Sequence, residues 1–86
     1  MDAWRAPGKP RGMALTLREI VAANVRRLRL ERGYSQEELA HRVGIDRNYV
    51  GMIERRKNSP TIDMIERLAR ALKVEPLALL QREKSR

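Results

Sequence analysis

Eighty-six residues with 19 Lys and Arg against 11 Asp and Glu, a net charge of +8, predict one small basic domain with a single core of four or five helices. The absence of cysteine excludes disulfides and thiolate metal sites and fits a cytoplasmic location. His41, the only histidine, has no second ligand nearby in sequence, so no metal or other cofactor is expected. No apolar run approaches the ~20 residues of a membrane span, and the N-terminus lacks the apolar core of a signal peptide.

In chain order, residues 1–14 contain Pro7, Gly8, Pro10 and Gly12 without apolar periodicity, which predicts a flexible basic arm. The folded domain is expected over 15–80 and a basic tail over 81–86. Helix 1 should run from about Leu17 to Arg32, with Leu17, Ile20, Val21, Val25 and Leu28 on one face and Gly33 closing it. Ser35 should cap helix 2, with Glu38 completing a capping box. Gly44 ends that helix, and Asp46 is the expected N-cap of helix 3, Arg47 to about Arg55. A basic loop, Arg56 to Pro60, leads to Thr61 as N-cap of helix 4, which carries Ile62, Ile65, Leu68, Ala69 and Leu72 at helical spacing. Val74, Pro76, Leu77 and Leu80 predict a short fifth helix. No strand pattern or repeat is present, and the fold class is all-α.

The stretch from Gln36 to Arg55 carries the most information. Counted from Gln36 as position 1, Ala40 falls at position 5 and Gly44 at position 9, with Leu39, Val43, Ile45, Val50 and Ile53 at 4, 8, 10, 15 and 18. Two helices crossing at roughly 90–120° need a small residue at the crossing and a turn that tolerates positive φ. That is the pattern of a helix-turn-helix, whose second helix enters the DNA major groove. Charge distribution agrees: between 41 and 58, Arg42, Arg47, Arg55, Arg56 and Lys57 stand against only Asp46 and Glu54, whereas 59–80 are balanced. Arg47 and Asn48 open helix 3, where Arg can pair with guanine and Asn with adenine; Arg47 on a phosphate is the alternative. Met52, one turn on, suits a thymine methyl. Gly51 either lets the backbone approach DNA closely or is simply tolerated, and Tyr49 is either core or a phosphate contact.

The runs LRLERGYSQEELAHRVGI, YVGMIER and KNSPTIDMIERLARALKV resemble the Cro/phage-repressor, or Xre, family over about residues 17–80, and IDRNYVGMIER is similar to restriction-modification controller proteins. The resemblance implies a compact five-helix, lambda-repressor-like DNA-binding domain that acts as a transcriptional regulator of repressor or controller type on double-stranded DNA. It also implies phosphate contacts from the start of helix 2, Ser35 and Gln36, and from Arg55, Arg56, Lys57 and Asn58. A structural ion pair between Arg29 and Glu54 is implied too. Where the family usually has glycine after the Glu-Arg pair this chain has Arg56; αL geometry there would cost on the order of 1 kcal/mol.

Glu37 and Glu38 suit a helix N-terminus through the macrodipole rather than a catalytic pair, and no enzyme or small-molecule ligand is expected. One helix-turn-helix reads too few base pairs to find a genomic site, so a homodimer on a palindromic operator is expected. The apolar stretch Val74, Leu77, Leu79 and Leu80 is its candidate interface, with Leu79 facing the partner. An antitoxin or protein-binding adaptor with secondary DNA binding is the other function class. The basic arm has no apolar face for a membrane surface.

Overall fold

Thr16 starts the first helix by a device the sequence reading missed. Its hydroxyl accepts from the Glu19 amide (3.2 Å), while the Glu19 carboxylate accepts from the Thr16 amide (2.9 Å). This reciprocal capping box satisfies two amides that the helix cannot. The computed structural model describes residues 16–82, so the arm expected at 1–14 and most of the tail expected at 81–86 lie outside the described residues. Five helices follow in order: α1 Leu17–Glu31, α2 Gln36–Val43, α3 Arg47–Glu54, α4 Ile62–Leu72 and α5 Leu77–Leu80, with no strand among the described residues.

The remaining caps are largely those expected. Ser35, Asp46 and Thr61 accept from the amides of Glu38, Asn48 and Met64. The second half of the box at Ser35 is absent: Glu38 instead accepts from Arg42 one turn on (2.7 Å). Four helices end alike, α2 among them at Gly44, where the Ile45 amide bonds back to the Ala40 carbonyl. At Gly33, Arg56 and Lys73 the backbone takes left-handed φ of 76°, 65° and 63°. The next amide then bonds back five residues, Tyr34 to Arg29, Lys57 to Met52 and Val74 to Ala69. These are Schellman closures, which glycine fits best. Arg56 and Lys73 therefore hold a conformation that costs about 1–2 kcal/mol for a side chain. At Lys73 the strain is offset by Arg32, which donates to the carbonyls of Leu72 (2.8 Å) and Lys73 (3.2 Å).

α2 and α3 cross with Ala40 buried between them, and Gly44 closes α2 at φ 85°. A Cβ there would also stand 3.3 Å from the Arg67 guanidinium, which donates to the Val43 carbonyl (2.8 Å). Two constraints thus select glycine, the backbone and the neighbour. Val25, Leu39, Val50, Ile53, Leu68 and Leu72 form the centre of the core.

Three expectations about the apolar faces fail. Leu17 and Ile62, first residues of α1 and α4, are 55% and 82% exposed, and Met64 is the buried residue in the first turn of α4. Leu79, expected to face a partner, is wholly buried, while Leu77 is 58% exposed. The reason is a long-range anchor. Asn24 of α1, itself buried, donates to the carbonyls of Leu79 (2.9 Å) and Gln81 (2.8 Å) and so sets the rotation of α5. A single turn of helix has too few residues for its own periodicity to define a face.

Candidate nucleic-acid interface

The position of α3 is set outward from one buried cluster. Arg29 of α1 donates to both carboxylate oxygens of Glu54 at the end of α3, Nε to Oε2 at 2.7 Å and Nη2 to Oε1 at 3.1 Å. Both side chains are almost wholly buried, at 8% and 3% exposure. Arg29 also donates to the Tyr34 carbonyl (2.8 Å), and Gln36 Nε2 donates to Glu54 Oε1 (3.1 Å). One carboxylate thereby ties α1, the turn after it, the start of α2 and the end of α3. The two helices of the crossing cannot swing relative to α1 without breaking charge-assisted bonds.

On that base the first turn of α3 stands free. Arg47 and Asn48 are exposed, and Asp46 beside them spends its carboxylate on the Asn48 amide. Met52 is half-buried one turn further along the row from Asn48. Tyr49 is half-buried and packs against the core, which accounts for its ring. Gly51 is buried, with the Arg55 guanidinium and the Gln36 amide over it, so its backbone is not the open surface expected from sequence.

The loop after α3 presents Arg55, Arg56 and Lys57 to solvent. Asn58 differs: it is half-buried, and its Oδ1 is buried with no hydrogen-bond partner among the described residues. Ser35 uses its hydroxyl as an N-cap, and Gln36 points its amide nitrogen inward at Glu54. Two further contacts escaped sequence reasoning. Arg18 Nε donates to Ser59 Oγ (2.8 Å), joining α1 to the basic loop, and Arg42 lies over the Tyr34 ring at 4.4 Å. Neither has a local signature, since Arg18 and Ser59 are 41 residues apart. Among the described residues no group of three His, Cys, Asp or Glu could hold a metal, and no helix is long and apolar enough to cross a membrane.

A left-handed glycine turn between two short capped helices, the second with its first turn free, is a helix-turn-helix module. The sequence profile of the helix-turn-helix family matches residues 25–79, and the chain belongs to that family, in its Xre-type branch. It is 44% identical over 64 residues to a hypothetical transcription factor of Neisseria meningitidis, a match that spans 74% of this chain but only 60% of that protein. The crystal structure of the hypothetical transcription factor NHTF from Neisseria superposes with a TM-score of 0.78 at 38% identity, over 86% of this chain and 87% of that one. The restriction-modification controller protein C.AhdI of Aeromonas hydrophila superposes at 0.70 with 40% identity, over 72% and 94%. The controller C.Esp1396I, crystallised as a tetramer with its natural 35-base-pair operator, superposes at 0.70 with 32% identity, over 77% and 87%.

Proposed function

We propose that this chain is a sequence-specific, double-stranded DNA-binding transcriptional regulator of repressor or controller type, acting in the cytoplasm. The observation that carries the reading is the free first turn of α3, Arg47 and Asn48, held on a rigid base and followed by a basic loop. Base edges are read by Arg47, Asn48 and Met52. Arg55, Arg56 and Lys57 contact phosphates, with the start of α2 at Ser35 and Gln36 and the Tyr49 hydroxyl beside them. Arg56 places its charge at a strained turn, where a phosphate contact would offset the strain.

A duplex selected from a random pool by the wild-type chain supplies the test. Log affinity should fall with log salt by about 0.9 per phosphate neutralised. Arg47→Ala should cost about 1–3 kcal/mol on the selected duplex and relax preference at one base position, whereas Lys57→Ala should weaken all sequences alike. Equal affinity for selected and mixed-sequence duplexes at every salt concentration would defeat the reading. Uniform weakening by Arg47→Ala would make Arg47 a phosphate clamp and leave the readout to Asn48.

The chain works as a homodimer on a palindromic operator, since one module reads too little sequence. With Leu79 in the core, the interface passes to Leu77, Val74 and Leu80 beside the exposed Leu17 and Ile62. Of these, Leu17, Ile62 and Leu80 line an apolar groove of about 550 Å³ together with Val21, Ile65 and Pro76, which a second copy of the chain would cover. The tetrameric assembly of C.Esp1396I on its operator supports self-association. Sedimentation at micromolar concentration should show a wild-type dimer and a Leu77→Glu monomer with weakened operator binding. A wild-type monomer that binds operator as a single unit would remove the dimer from the reading.

A further inference from the structure

Gly51 sits where a glycine is unfavourable. It lies inside α3, its φ is not positive, and a glycine in a helix interior is less stable than alanine. Its backbone therefore gives no reason for the residue. The neighbours do. A Cβ at Gly51 would stand 3.0 Å from Arg55 Nη1, 3.8 Å from Arg55 Cζ and 3.7 Å from Gln36 Oε1. The guanidinium of Arg55 thus folds back along α3 into the space the missing side chain leaves, beside the first residue of α2. Gln36 is itself held there, because its Nε2 donates to the buried Glu54 carboxylate.

An exposed arginine ordinarily samples many rotamers, and binding a phosphate then carries the cost of ordering it. The slot over Gly51 orders Arg55 in advance. Arg55 itself is the C-cap of α3, four residues after Gly51, and its guanidinium reaches back over Gly51 to lie beside Gln36 at the start of α2. We infer that Gly51 is a positioning residue for DNA affinity: its missing side chain seats the Arg55 guanidinium beside Gln36 as a preorganised phosphate clamp, at the expense of helix stability. The inference rests on the duplex-DNA reading above and adds to it a residue that touches no DNA.

The experiment is a double-mutant cycle on the full chain with Gly51→Ala and Arg55→Ala. Affinity is read on the selected duplex and on a mixed-sequence duplex, and stability by thermal unfolding. Gly51→Ala should raise the melting temperature by about 4–8 °C, because the clashing atom is the far end of a flexible side chain that can move away. The same change should weaken both duplexes by about five- to tenfold, since a phosphate contact is blind to sequence. In the Arg55→Ala background it should change affinity no further, and Arg55→Ala should lower the salt slope by about one. Arg55→Lys keeps the charge but not the planar group that fills the slot, so it should lose about as much affinity as Gly51→Ala while keeping the wild-type salt slope. The inference is overturned by wild-type affinity in Gly51→Ala, by the same loss with and without Arg55, or by wild-type affinity in Arg55→Lys. A wild-type chain that binds no duplex at all would overturn the functional reading and this inference together, whereas binding unaffected by Arg55→Ala would sink this one alone.

Discussion

Arg29→Ala should destabilise the domain by about 3–5 kcal/mol, the cost of leaving a buried carboxylate without its charged partner. That is a large share of the roughly 5–15 kcal/mol that holds a small domain folded. The two single substitutions should not be equal. Without Arg29, Glu54 retains only the amide of Gln36 as a donor, in a site where its side chain is 3% exposed. Without Glu54, Arg29 keeps its bond to the Tyr34 carbonyl, so Glu54→Ala should cost less. The double variant should be less damaged than the sum of the two, because no charge is then stranded. Denaturant unfolding of the four proteins measures the coupling, and additive losses would show that the pair contributes no interaction energy. Affinity should fall with stability here, since the same carboxylate fixes α3 on α1.

Leu79→Ala should cost about 2–5 kcal/mol and Leu77→Ala no more than about 0.5 kcal/mol, although the two leucines share one turn of α5. Leu79 is fully buried and its carbonyl is held by Asn24, so truncation leaves a cavity that the anchored turn cannot collapse around. Leu77 is 58% exposed and loses little on truncation in the single chain. Thermal unfolding at concentrations low enough to disfavour self-association separates the two. Equal losses would mean that α5 rotates in solution away from the geometry Asn24 imposes.

Some of this molecule could be read directly from its residues. Ser35, Asp46 and Thr61 start helices because a short polar side chain reaches an amide two or three residues on, and that reach is set by covalent geometry. Gly33 and Gly44 mark left-handed closures for the same local reason, and Ala40 with Gly44 at fixed spacing is enough to announce the crossing of α2 and α3. The Arg29–Glu54 pair was accessible only through resemblance to a family, since nothing in either residue's neighbourhood points to a partner 25 positions away.

What tertiary structure alone decided lies at long separations or on short elements. Asn24 grips carbonyls 55 and 57 residues away and thereby turns Leu79 inward and Leu77 outward. Ile62 matches the apolar period of α4 yet remains exposed, lining an open groove with Leu17 of α1 and Leu80 of α5 instead of entering the core. Gln36 turns its amide to a buried carboxylate, and Gly51 makes room for a guanidinium, through contacts between the start of α2 and the end of α3. Local rules determined where α1 to α4 begin and end. Which side of each helix faces inward, and which polar groups remain exposed, was decided by packing, because burial is a property of neighbours that the chain brings together only when folded.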